Sequence, residues 1–254
     1  VPVHYAGVSC EMDKIMAIAQ RHNLYVIEDA AQGVNAKYND KYLGTIGDLG
    51  AYSFHETKNY ICGEGGALII NNEKFIERAE IIREKGTNRK KFIRGLVDKY
   101  TWVDIGSSYL LSDLLAAYLY AQLESMKKIT SMRRRVWEYY YNNLKPLEEK
   151  GYLNLPQIPN NIIQNYHMFY IILPTNKIRD ELIQKLKENG IQAVFHYVPL
   201  HLSPMGKKFG YKKGDFPISE DLSSRLLRLP FYNTLKKNEQ KKVIQILKKL
   251  LLNY

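Results

Sequence analysis

Cysteine is scarce in this chain. Two residues, Cys10 and Cys62, cannot build a disulfide framework or a Cys-rich metal site, and free thiols in a reducing cytosol fit them. Long apolar runs are also missing: no stretch approaches the roughly 18 residues of a membrane span. The opening Val-Pro-Val-His-Tyr has neither an initiator Met nor a basic-then-apolar leader. It reads as the end of a buried strand, so a further segment is expected before Val1. Acidic residues are outnumbered, 26 against 37 basic, for a net charge of +11. That balance admits a nucleic-acid-binding module, a membrane surface or a small-anion site. No nucleic-acid-binding motif accompanies it, and the lysines are spread over a solvated surface. Only residues 85–94 are locally concentrated, with Arg89, Lys90, Lys91 and Arg94.

What is present is ordinary globular composition: 254 residues, 45% hydrophobic and 25% charged, enough for one large or two modest domains. Residues 11–22 carry apolar side chains at helical spacing, and residues 24–27, 51–54 and 67–70 are short apolar runs rich in strand formers. Unbroken apolar strands separated by helices predict an α/β fold with a mostly parallel sheet covered on both faces. In such sheets ligands gather at the carboxyl ends of the strands, where Asp29 and the 53–58 segment fall. Residues 74–84 predict a helix ended by Gly86, and 87–108 a polar, glycine-containing stretch. Ser112 is placed to cap a long helix reaching toward Leu144, with Pro146 in the loop beyond it. Strand (167–173), helix (178–188), strand (191–197), a short helix (219–227) and a terminal amphipathic helix (238–251) predict a smaller α+β domain. The expected division is therefore 1–125 and 126–254.

Three clusters carry chemistry: Glu28-Asp29-Ala30-Ala31-Gln32, Ser53-Phe54-His55-Glu56-Thr57-Lys58-Asn59, and Gly63-Glu64-Gly65-Gly66-Ala67. Each alone has a plain explanation, as turn former, solvated lysine or tight connection. Together they suit an aldehyde cofactor such as pyridoxal 5'-phosphate. Lys58 offers an amine nucleophile, Asp29 a carboxylate to keep a pyridine nitrogen protonated, and Ser53 a hydroxyl for a phosphate. The three glycines permit close backbone approach and positive φ beside the lysine.

These clusters resemble the DegT/DnrJ/EryC1/StrS-type sugar aminotransferases, pyridoxal-phosphate enzymes with the type I (aspartate-aminotransferase-like) fold. The resemblance implies that Lys58 is the Schiff-base lysine, Asp29 the ring-nitrogen partner, Gln32 a neighbour of the cofactor and Ser53 a phosphate contact. Further segments narrow it: residues 3–7, 84–89, 97–102, 104–110 and 195–201 are similar to dTDP-4-amino-4,6-dideoxygalactose transaminases. Those enzymes move an amino group from glutamate to C4 of dTDP-4-keto-6-deoxyglucose for bacterial surface polysaccharide, including lipopolysaccharide and enterobacterial common antigen. The implied setting is a cytoplasmic homodimer, without nucleic-acid or membrane partners. The 85–109 segment would then reach the neighbouring subunit's site, and the fragment alone would be inactive.

One departure stands out. Where much of the family has Gly-Tyr-Asn-Tyr-Arg, this chain has Gly106-Ser107-Ser108-Tyr109-Leu110. Ser108 can still donate to a phosphate, but Leu110 cannot replace an arginine, and Arg89 or Arg94 is the candidate substitute for substrate binding. By the same resemblance His196 and Tyr197 lie near the sugar nucleotide. His196 and His201 lack a third ligand for a metal. His4 and His55 fit a pocket or a packed core equally. A C3 aminotransferase remains a rival reading. So does a sugar dehydratase, although its 3-dehydratase branch replaces the lysine with histidine.

Overall fold

The computed structural model describes residues 1–252. Its packing divides the described chain into two compact units. The first comprises Val1–Ile129 with Pro159–His167, and the second comprises Thr130–Ile158 with the chain from Met168 onward.

In the first unit, β1 (Ile27–Asp29), β4 (Leu49–Ser53) and β5 (Gly66–Ile70) form one sheet in the order β1-β4-β5. β1 and β4 run parallel and β4 and β5 antiparallel, while Val3 adds a parallel bridge to Asp29. A second small sheet joins β2 (Lys37–Tyr38) to β3 (Lys41–Tyr42) and to β6 (Ile162–Ile163), all antiparallel. Helices α1 (Met12–Arg21), α2 (Ile76–Arg83), α3 (Arg89–Ile93) and α4 (Asp113–Glu124) complete the unit. The α/β class expected from the apolar runs is the one observed, but β1 starts later than expected. Leu24 and Tyr25 are exposed, and the Val26 amide is taken by the Asp48 carboxylate at 2.8 Å rather than by a neighbouring strand.

The predicted 112–144 helix is two helices. Ser112 does cap α4, its hydroxyl accepting the Leu115 amide at 3.4 Å, but the chain breaks at Ser125 and restarts as α5 (Met126–Glu148). α5 also runs through Pro146 instead of stopping before it. A proline in the last turn removes one ladder bond, and the burial of Leu144 and Leu147 outweighs it.

The second unit contains most of α5 together with α6 (Asn176–Glu188), α7 (Pro204–Lys208), α8 (Pro217–Arg225), α9 (Lys237–Leu251) and the antiparallel pair β7 (Tyr170–Ile172) and β8 (Leu226–Arg228). Its core gathers Tyr140, Leu144, Phe169, Ile171, Leu182, Leu186, Leu227 and Leu247. Polar ties cross it: the Tyr140 hydroxyl donates to the Pro230 carbonyl at 3.0 Å and Gln240 Nε2 to the Val136 carbonyl at 2.8 Å. α9 buries Val243, Ile244, Leu247 and Leu251; its lysines lie on other faces, as its amphipathic pattern predicts. The expected 191–197 strand is reduced to a single bridge, Val194 to Arg228. Ile191 and Ala193 are buried, but the following apolar positions, Phe195 and Tyr197, are exposed, so the alternation that predicted a strand finds cover only in its first half.

Candidate active site

The site is built on the carboxyl ends of β1 and β4. In a strand successive side chains point to opposite faces, so Glu28 and Asp29 divide two tasks between them. Glu28 is fully buried. Its Oε1 accepts the amides of Ile46 and Gly47 at 2.7 Å each, and its Oε2 accepts the Gly44 amide and His4 Nε2 at 2.8 Å each. The 43–47 turn is thereby pinned against the sheet. Gly50, opposite Glu28 in β4, makes this possible: a Cβ there would stand 2.2 Å from the Gly44 carbonyl oxygen.

Burial alone would raise the Glu28 carboxyl, but His4 and the three amides overcome it and hold the group below the usual carboxylate range. Burial likewise opposes a charge on His4. Its side-chain bonds to Cys10 and Glu28, with the charge on Glu28, carry it up to about 9. The Cys10 amide, 3.2 Å from Nδ1, favours the neutral ring, and the closer carboxylate prevails. His4 is thus a core partner of Glu28 and does not line the crevice described below.

Asp29, half-buried on the other face, pairs with Ala51, and its Oδ1 accepts the Ala31 amide at 3.1 Å. Ser53 lies two residues beyond Ala51 on the same face of β4, about 7 Å along the strand. There the chain enters the loop that carries Lys58 and returns as β5. Three backbone bonds staple its flanks: Phe54 N to Gly65 O (2.8 Å), Cys62 N to Phe54 O (2.8 Å) and Glu56 N to Gly63 O (2.9 Å). The Lys58 amide closes a turn onto the His55 carbonyl at 2.9 Å. Gly63 supplies a φ of +87°, and a Cβ on Gly66 would meet the Tyr52 carbonyl oxygen at 2.8 Å. The glycines expected to matter beside the lysine therefore close its loop.

Gln32, Ser53 and Lys58 line one narrow crevice, together with Asn59, Asn165 and His167. Gln32 is oriented by the Ala6 amide, which donates to its Oε1 at 2.7 Å. An amine, a hydroxyl and an amide converge there, and a carboxylate stands at the end of the adjoining strand. This donor set fits a phosphorylated aldehyde cofactor: an amine to hold the aldehyde, a hydroxyl for the phosphate and an acid for the ring nitrogen. His55 is neither core nor crevice lining: it is part-exposed, its Nδ1 bonded to Thr57 Oγ1 at 2.9 Å.

The other predicted residues of the first unit lie outside the crevice. Ser108 is exposed and bridges to Glu84. Arg89 pairs with Glu84 at 2.9 Å and Arg94 with Glu80 at 2.5 Å, so both guanidinium groups already have carboxylate partners. His196 and Tyr197 belong to the second unit, the first buried and the second exposed. Asn165 and His167 were not singled out from the sequence, and Asn59 entered only as the last residue of the 53–59 run, without a role. The hint was faint: two polar residues, Asn165 and His167, just before an apolar run.

Comparison with known proteins identifies the family. An uncharacterized protein of Methanocaldococcus jannaschii is 35% identical over 257 residues, covering 98% of this chain and 66% of its own length. The GDP-perosamine synthase of Escherichia coli O157:H7 is 31% identical over 239 residues, covering 94% of this chain and 61% of that protein. The crystal structure of a DegT DnrJ EryC1 StrS aminotransferase from Brucella abortus superposes with a TM-score of 0.83 at 30% identity, covering 97% of this chain and 62% of that one. The chain thus spans somewhat under two thirds of the length of the curated relatives it matches. Aminotransferases of this family depend on pyridoxal phosphate. The family model matches residues 1–248, and the chain belongs to the DegT/DnrJ/EryC1/StrS aminotransferase family.

Proposed function

We propose that this chain is the cofactor-bearing portion of a sugar-nucleotide aminotransferase that transfers an amino group from glutamate to C4 of dTDP-4-keto-6-deoxyglucose, giving dTDP-4-amino-4,6-dideoxygalactose. The observation that carries the reading is the meeting of Lys58, Ser53 and Gln32 in one crevice beside the strand end that bears Asp29. Bound pyridoxal phosphate supplies an electron sink for the amino-group transfer. Lys58 would hold the cofactor through its amine, and the same amine, when free, would serve as the proton carrier for the transfer. Asp29 holds the proton at the ring nitrogen, and Ser53 donates to the phosphate. Gln32, fixed by Ala6, flanks the ring.

Substrate binding by Arg89, Arg94, His196 and Tyr197, and a phosphate contact from Ser108, belong to the same proposal. The assembly is a cytoplasmic homodimer in which residues 85–109 reach the partner's site. In support, Trp102, Ile105 and Tyr109 of this segment are 75%, 78% and 68% exposed, large apolar side chains that an interface would cover. A GDP-linked sugar is the second reading, favoured by the name of the E. coli relative.

Borohydride reduction of the full-length protein with pyridoxal phosphate, followed by peptide mapping, tests the cofactor assignment, and Lys58→Ala abolishes the adduct. An adduct on another lysine sinks it. Incubation with glutamate and dTDP- or GDP-4-keto-6-deoxysugars, read by product mass, separates the two nucleotide readings.

A further inference from the structure

The residue after the lysine is held by a chain of buried hydrogen bonds that the mechanism above does not use. Asn59, His167 and Asn165 are 5%, 7% and 1% exposed. Asn59 Nδ2 donates to the Asn165 carbonyl at 2.8 Å, and Asn59 Oδ1 lies 2.8 Å from His167 Nδ1. Asn165 Nδ2 in turn donates to the carbonyls of Gln32 (2.7 Å) and Val34 (2.8 Å). Gly7 gives Asn165 its place, since a Cβ there would lie 2.0 Å from Asn165 Oδ1.

The directions of these bonds fix the proton positions. A backbone carbonyl only accepts, so the Asn59 nitrogen faces Asn165 and the Asn59 oxygen faces the imidazole. An amide oxygen only accepts as well, so His167 carries its proton on Nδ1. One clamp therefore reaches from Gln32 through Asn165 and Asn59 to His167. Gln32, Val34, Asn59, Asn165 and His167 all line the crevice with Lys58, Gln32 and Val34 joining the clamp through their backbone carbonyls. Backbone bonds staple the flanks of the loop, and Asn59 is a point at which a side chain ties it to the 159–167 segment.

We propose that His167, acting through Asn59, is a positioning residue for Lys58: its Nδ1–H anchors Asn59 and so fixes the loop from which the lysine amine enters the crevice. This rests on Lys58 being the cofactor lysine, as proposed above. An unanchored Asn59 would leave a buried acceptor unpaired and let the loop adopt positions in which the amine misses the aldehyde. The role belongs to Nδ1 and not to Nε2, which gives it a distinctive substitution pattern. An asparagine side chain can place an N–H near the position of Nδ1, whereas a glutamine places one near Nε2.

The test uses full-length protein, wild type and the variants His167→Asn, His167→Gln and Asn59→Leu, each titrated with pyridoxal phosphate. Visible absorbance reads the covalent linkage, its pH midpoint is recorded, and thermal melting reports the fold. His167→Asn is expected to stay near wild type. His167→Gln and Asn59→Leu should each lose about tenfold in the equilibrium constant for linkage, the size expected when one buried bond is left unmade, and their pH midpoints should move. A melting point that falls with no change in linkage constant or midpoint would assign the clamp to structure alone and overturn the proposal. So would rescue by glutamine but not asparagine, or equal behaviour of the two. Wild-type linkage that maps to a lysine other than Lys58 would instead remove the underlying assignment, a distinct result read from the peptide map.

Discussion

Replacing Glu28 by glutamine removes one charge and leaves the side chain's volume almost unchanged, so its effect reports hydrogen bonding and charge rather than packing. In the native arrangement both carboxylate oxygens face only donors: two amides on Oε1, and one amide with His4 on Oε2. A glutamine has one acceptor oxygen and one donor nitrogen. With its nitrogen at the first position it confronts the Ile46 and Gly47 amides, and at the second it confronts Gly44 and the imidazole. At least one buried amide loses its acceptor, at about 1–3 kcal/mol, and His4 loses its counter-charge. Breaking a buried ion pair from one side costs about 3–5 kcal/mol, and we expect Glu28→Gln to destabilise by about that amount. At ~2–4 °C per kcal/mol for a chain of this size, the melting midpoint falls by roughly 6–20 °C.

The loss depends on pH in a direction that the two shifts dictate. Glu28 is depressed, so its contribution is present above the ordinary glutamate range, near 4.3, and is lost as pH falls through its folded value. His4 is raised to about 9, so its contribution is complete below the unfolded value, near 6.5, and is lost as pH rises through about 9. The difference between wild type and variant should therefore be largest between about pH 4.5 and 6.5, and smaller at either side. Urea unfolding of the full-length protein at pH 4, 6 and 9.5 measures it. A difference below about 1 kcal/mol at pH 6, or one that grows steadily from pH 6 to 9.5, would refute this account of the pair.

Other perturbations test separate parts of the structure. Asp29→Asn should retain pyridoxal phosphate but lose about 100-fold or more in turnover, the scale of a misplaced proton; near-wild-type turnover removes Asp29 from the mechanism. Gly50→Ala forces a Cβ to within 2.2 Å of the Gly44 carbonyl and should cost about 3 kcal/mol or more, read by urea unfolding; a cost under 1 kcal/mol would show that the 43–47 turn moves freely. Mixing two inactive full-length variants, Lys58→Ala and the Arg89/Arg94 double alanine variant, should restore part of the activity if residues 85–109 serve the neighbouring subunit. No recovery despite proven subunit exchange defeats that reading.

The residues of the proposed chemistry drew attention because they fall in short runs at or just beyond the ends of β1 and β4, and the family resemblance gave those runs their roles. Lys58 five residues after Ser53, followed by Gly63, Gly65 and Gly66, is local information, and the staples from Phe54 to Gly65 are what that pattern encodes. The roles of neighbours within the same runs were not legible. Glu28 adjoins Asp29, yet alternation sends it to the opposite face, where its partners are amides of a turn some 16 to 19 positions away. A backbone amide leaves no mark in the identity of the residue that offers it. The helix break at Ser125 was hidden for a related reason: a serine is tolerated inside a helix, and the apolar spacing continues across it.

The clamp on Asn59 lay furthest out of reach. Its partners are 106 and 108 positions away, and they return to the first unit through a strand of two residues, Ile162–Ile163, paired with Lys37 and Tyr38. Two residues cannot show a period, so no pattern in the sequence announces that 159–167 leaves the second half of the chain to complete the first. The boundary expected from composition, at 125/126, separates the lysine from that segment. Yet His167 and Asn165 line the crevice with Lys58, and Asn165 holds the carbonyls of Gln32 and Val34. A fragment cut at the expected boundary would keep Lys58, Asp29, Ser53 and Gln32 while losing every side-chain partner of Asn59. Lys58 and Asp29, the proposed nucleophile and acid, each lie in a short run, whereas the bonds proposed to aim Lys58 span more than 100 positions, and only the fold brings them together.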